Sequence, residues 1–201
     1  MAAYAAEGVV WSRLAALLPA AEDADEVQGC WDIGEQEAGL DLLVGQRVEL
    51  GLPVAESTRT EIAVMAEQWG EWDPLGAAIV ACPRKEAQPV SLRVFEDEDE
   101  EAPVPLDVLP ERADPQQVLV PWIACVPCGR VLARIHRRQE RGDLSCNAVS
   151  YVVFAQDGSI EPLLFAGEDD GAGWSALEAL RRACVWLSPA PRKRIFVQCR
   201  L

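Results

Sequence analysis

The chain has 201 residues, 33 of them acidic and 18 basic, for a net charge of −15. Half the residues are hydrophobic and a quarter charged, which is ordinary for one or two globular domains and excludes a disordered or fibrous chain. A field of that sign repels nucleic acid and anionic membrane, so neither is expected as a partner.

The charge is unevenly placed. Residues 1–114 hold 7 basic and 25 acidic side chains, a balance of −18, whereas residues 115–201 hold 11 and 8, a balance of +3. The N-terminal stretch has no basic segment ahead of its apolar run, and Ser12 and Arg13 interrupt that run, unlike a secretion signal. No stretch approaches the ~20 apolar residues of a membrane span. Seven cysteines are an odd count, thinly spread, unlike a small secreted disulfide scaffold. Reduced thiols and a cytoplasmic location are the expectation.

In chain order, residues 2–18 read as an apolar helix and "PAAEDADE" (19–26) as a loop. "WDIGEQEAGLDLLVGQRVELGLP" (31–53) reads as a second helix, with Asp32 and Glu35 as a capping pair, Gly51 in the left-handed position after the last turn and Pro53 preventing continuation. Thr58 and Glu61 suggest another capping box, opening a helix whose stripe is Ile62, Met65, Ala66 and Trp69 and which Gly70 ends. Asp73-Pro74 then suggests a helix N-cap and first position, for a short helix to Cys82. Four helices joined by short connections make a small bundle over residues 1–82.

Residues 83–116 read as an acidic, proline-rich linker with a candidate strand at 90–95, since the stretch from Glu96 combines six consecutive acids (96–101) with four prolines (103, 105, 110 and 115), which oppose packing. Residues 117–201 read as an α+β domain. "VLVPWIAC" and "GRVLARIH" suit a hairpin around Cys125–Cys128, "SYVVFAQDGSIEPLLF" a hairpin turning at Asp157-Gly158, residues 173–187 an amphipathic helix, and "RIFVQCRL" a closing strand. The expected fold class is therefore α+β: an N-terminal helical bundle followed by a C-terminal antiparallel β-sheet with one packed helix.

Chemistry-bearing residues are few. Cys125-Val-Pro-Cys128-Gly129 has the form of a zinc knuckle, but a structural zinc takes four ligands and no second CxxC exists. Only Cys146, His136, Cys184 and Cys199 could complete a set. The expectation is a hairpin turn whose cysteines pack as small hydrophobes, with no metal and no cofactor. The single histidine, His136, lies among Arg134, Arg137 and Arg138, and an exposed histidine on a solvated basic strand end is expected there. No nucleophile elbow, phosphate loop or metalloprotease motif is present, so no enzyme is expected.

The 31–53 helix is poorly composed for stability alone. At ~100° per residue, Ile33, Leu40, Leu43, Val44 and Leu50 share one side, interrupted by Gln36 and Arg47. The opposite side collects Glu37, Asp41 and Glu49 with Gly34, Ala38 and Gly45. Like charges four apart repel, and each glycine costs about a kcal/mol in helix propensity. Acids among small residues suit the docking of a basic protein. An ordinary solvated face is the competing account. The expected partner-binding acids are Glu35, Glu37, Asp41 and Glu49, with Glu61 on the following helix.

Residues 32–70 resemble MafI-type immunity proteins, small helical proteins that neutralise toxins of bacterial competition systems. The similarity rests on Gly34, Glu35, Glu37, Leu40 and Leu43, then Gly51, Pro53 and Ile62: an acid-flanked helix, a "Gly-x-Pro-hydrophobic" turn and another helix. The resemblance covers about a fifth of the chain and implies stoichiometric occlusion of a basic toxin, such as a nuclease, by an acidic helical face. The alternative is a zinc-stabilised structural or regulatory adaptor built on Cys125 and Cys128.

Overall fold

A computed structural model of the chain describes residues 2–85, 92–95, 116–155 and 161–185. The fold is α+β. Five helices come first: α1 (Ala2–Ala15), α2 (Ala21–Ile33), α3 (Gln36–Glu49), α4 (Glu56–Gln68) and α5 (Trp72–Ala81). Then follow β1 (Leu92–Val94), β2 (Gln117–Cys125), β3 (Arg130–Arg137), β4 (Ser150–Ala155), β5 (Leu163–Ala166) and α6 (Ala172–Val185). The strands form one antiparallel meander in the order β1-β2-β3-β4-β5. No described helix is long and apolar enough to cross a membrane.

Several expectations about the helices need correction. "PAAEDADE" is not a loop, because α2 begins at Ala21 inside it. The 31–53 helix is two helices. Gly34 takes φ 85°, its N–H donates to the Trp31 carbonyl, and the Glu35 N–H donates to the Cys30 carbonyl. Those two bonds close a Schellman motif, so Asp32 lies in the last turn of α2, and Glu35 stands at the N-cap position of α3 without a side-chain cap bond. Ile33 therefore leaves the expected apolar stripe and is 75% exposed, and Leu50, past the last turn of α3, is 50% exposed. Thr58 is likewise no cap: α4 starts at Glu56, and Thr58 lies buried in its first turn.

The other stop signals act as expected. Gly51 (φ 58°) and Gly70 (φ 74°) each close a helix with the same pair of bonds. The start of α5 differs from expectation: the helix begins at Trp72 with Glu71 at the N-cap position, so Asp73 is not the cap and Pro74 is the third helical residue, still in the first turn where its missing N–H has no helical partner to lose. The far end of α5 is capped from another element. The buried Arg59 of α4 donates to the carbonyls of Ile79, Val80 and Cys82, supplying the orphan acceptors of that helix end with a charged donor.

Helices and sheet share one hydrophobic core. It runs from Trp11 and Leu14 of α1 through Leu40 and Leu43 of α3 and the apolar face of α4. It then reaches Trp122, Ile123, Leu132 and Val153 of the sheet and Leu177 and Leu180 of α6. A bulge in β2 makes this possible: the register with β3 slips between Pro121 and Ile123, so the consecutive residues Trp122 and Ile123 both join the helix-side core. Val131, Ala133, Ile135, Val152 and Phe154 form the core of the other sheet face. The strand expected at 90–95 is β1, paired to β2. The acidic run 96–101, the turn at Asp157-Gly158 and the strand expected at 194–201 lie outside the described residues.

Between bundle and sheet lies a buried ion pair. The Arg134 guanidinium donates from Nη1 to Glu67 Oε2 at 2.7 Å, with side-chain exposures of 0% and 2%. Glu67 Oε1 accepts from the Ala148 N–H at 3.0 Å, and the cation lies 5.2 Å from the ring centroids of both Trp72 and Trp122. Arg134 is thus no solvated strand end. Leu132, Arg134 and His136 alternate onto one buried face of β3, where Leu132 joins the core shared with the helices and Arg134 meets Glu67 of α4.

Candidate functional site

The first candidate is the acidic surface of α2 and α3. Residues 21–49 contain nine acids and one base, Arg47. Arg47 is buried beneath α3, where desolvation pulls its ionisation down, so it offers the surface no counter-charge. Glu35, Glu37, Asp41 and Glu49 are exposed and form no ion pair among the described residues. Gly34 and Gly45 open outward: a Cβ at either would meet no atom within 4 Å. Exposed Ile33 provides an apolar point between acids. The Cys30 thiol beneath is pushed up by burial first, and then by the charges of Glu26 and Glu35.

Gly39, on the other side of α3, has a different role. A Cβ there would stand 2.5 Å from the Trp11 ring and 2.8 Å from Cys30. Only glycine lets α3 lie this close to α1 and α2, so this position is set by packing.

Glu61 does not join the α2–α3 acids. Its carboxylate takes Arg13 at 2.6 Å and Arg181 at 3.2 Å, tying α1 and α6 to α4. Beside it, a cleft of about 370 Å³ between α1, α4 and α6 is lined by Glu7, Asp170, Trp174 and Glu178 among others. Glu7 is buried and accepts from Trp69 Nε1 at 2.8 Å. Burial raises its pKa, the indole hydrogen bond opposes the rise, and Asp170 adds to it.

The second candidate is a thiol cluster. Cys125 ends β2, Cys128 follows in the turn, and Gly129 (φ 66°) completes it with its N–H on the Cys125 carbonyl at 2.9 Å. The last turn of α6 brings up Cys184, whose Sγ is 3.3 Å from that of Cys128. The three sulfurs lie within 4.8 Å of one another. Arg130 donates to the Ala183 carbonyl and so fastens β3 to this end of α6. Burial pushes the Cys125 and Cys184 thiols up. Cys128 is lowered: burial opposes its ionisation, but hydrogen bonds from Cys125, the Arg130 amide and Cys184, with the Arg130 charge, outweigh it.

The sequence named Cys184 only as one of four residues able to join Cys125 and Cys128. The structure selects it. Cys146 is exposed and stands outside the cluster, and Cys199 lies outside the described residues. His136 is also elsewhere and, contrary to expectation, is only 3% exposed. Its Nδ1–H donates to the Ser145 carbonyl at 2.7 Å. Arg137 and Arg138 remain exposed beside it. No family model matches the chain, and neither does any curated protein or solved structure.

Proposed function

We propose that this chain is an immunity-like protein that binds a basic toxin through the acidic surface of α2 and α3 and blocks its substrate groove. The observation that carries the reading is that Glu35, Glu37, Asp41 and Glu49 form no ion pair among the described residues and lie beside glycines, Gly34 and Gly45, where a Cβ would meet no atom within 4 Å. An internal structural role would give those acids cations and those glycines neighbours, as Glu61 and Gly39 have. Exposed acids steer a cationic partner and fix its register, and open glycines and Ile33 let its backbone approach. The mechanism is stoichiometric occlusion and requires no reacting group.

The test is growth protection against a toxin gene product, sought first among the neighbours of this chain's gene. Changing Glu37, Asp41 and Glu49 together to Lys is expected to abolish protection with helical circular dichroism unchanged. Truncating one side of a desolvated charge pair loses about 2–5 kcal/mol, or tens to thousands of fold in affinity. Arg137→Glu with Arg138→Glu is the control, because both side chains are exposed and remote in sequence from the acidic helices. Protection lost by the arginine variant and kept by the acidic-face variant would move the binding surface to the sheet.

A further inference from the structure

We infer that Cys125, Cys128 and Cys184 form a thiolate site for a soft divalent metal ion, with Zn²⁺ the natural occupant. Zinc bound to thiolates at about 2.3 Å in a tetrahedron sets its sulfurs about 3.8 Å apart. The Cys128–Cys184 separation is 3.3 Å, and all three sulfurs lie within 4.8 Å of one another, close enough to share one ion after small side-chain adjustments. Two sulfurs come from a tight turn of the knuckle form and the third from a distant helix, 56 residues later. Packing of small hydrophobes accounts for Cys125, which is buried, but not for Cys128 and Cys184, which are only half-buried yet converge on it.

The Cys128 amide hydrogen-bonds the Cys125 sulfur, the Arg130 amide hydrogen-bonds that of Cys128, and the Arg130 guanidinium lies nearby. Backbone donors to metal-bound sulfur are the outer support such a site needs. No fourth donor joins these three among the described residues. A solvent water would complete the tetrahedron. The binding step balances as Zn²⁺ plus three thiols giving three Zn–S bonds, with the S–H protons released to solvent. Affinity therefore rises with pH. In the fold, the ion would clamp the β2–β3 turn to the C-terminal turn of α6, the same two elements that Arg130 joins. This inference is independent of the partner-binding reading, which uses the opposite end of the sequence.

Full-length protein, purified without chelator under a non-thiol reductant, is expected to carry about one zinc per chain. Removing the metal and titrating Co²⁺ should give a near-ultraviolet sulfur-to-cobalt charge-transfer band whose intensity corresponds to three thiolates. That measurement needs no variant. Cys184→Ser and Cys128→Ser should each cut the band by about a third or more and weaken Zn²⁺ retention at least tenfold, and Cys146→Ser should change neither. Absence of both zinc and a cobalt–thiolate band in the reduced protein overturns the assignment, as does a full band in Cys184→Ser. A Cys128–Cys184 disulfide in acid-quenched, alkylated cell extract overturns it as well, making the cluster a redox pair.

Discussion

Replacing Arg134 with Met tests whether the buried ion pair joins the bundle to the sheet. The substitution keeps an unbranched stem of similar reach and removes the guanidinium. Glu67 is then left with a side chain only 2% exposed and one remaining partner, the Ala148 N–H at 3.0 Å. Removing one member of a buried pair costs about 3–5 kcal/mol, because the other charge stays desolvated. The cation also lies over two indoles, a contact worth about 0.5–2 kcal/mol. Against a total stability of about 5–15 kcal/mol, Arg134→Met should leave a protein that folds marginally. The assay is urea denaturation at neutral pH followed by circular dichroism and tryptophan fluorescence, run as a cycle with Glu67→Gln and the double variant. In the double variant no charge is stranded and Gln still accepts from Ala148. It should therefore be more stable than Arg134→Met alone, with a coupling above about 1 kcal/mol. If Arg134→Met lies within about 1 kcal/mol of the parent, or the two single effects simply add, the reasoning is refuted.

Two further expectations concern residues with opposite surroundings. Within α3, Gly45→Ala should stabilise by about 0.5–1 kcal/mol, since a Cβ there meets nothing and alanine is the better helix former. Gly39→Ala should destabilise by about 1–3 kcal/mol, because its Cβ would overlap Trp11; equal effects in thermal melts would contradict the packing described. Glu7→Gln should be more stable than the parent at neutral pH. Burial raises the folded pKa of Glu7 above its unfolded value, so the folded state favours the protonated form. That contribution is complete below the unfolded pKa, about 4.3, and is lost as pH rises through the folded one. The advantage of the amide, which can still accept from Trp69, should therefore vanish in acid. A constant difference across pH in urea titrations would show that Glu7 does not titrate as its burial implies.

Local signals in the sequence were enough for the α+β class, the bundle, the β2–β3 hairpin, and the helix ends at Gly51 and Gly70. Each depends on residues a few positions apart: the 3.6 and 2.0 periods of the apolar residues and the left-handed conformation that glycine alone adopts cheaply. The acidic face of α3 was legible for the same reason, since one or two helical turns separate its members. Gly34 was misread because the apolar pattern continues across it, and periodicity cannot reveal a change of axis.

What the tertiary structure alone decided depends on distant chain segments. Arg134 sits in a run of basic residues that looks solvated, but its counter-ion is 67 residues earlier, on helix α4. Glu61 has the same type of side chain as Glu37, and differs only because α1 and α6 deliver Arg13 and Arg181 to it. Cys184 was one of four residues that could join the knuckle until the packing of α6 on the sheet put its sulfur beside Cys128. Charge, thiol and small side chain are local properties of the chain. Whether each is paired, clustered or left open is set by which surfaces meet, and that depends on burying the whole core at once.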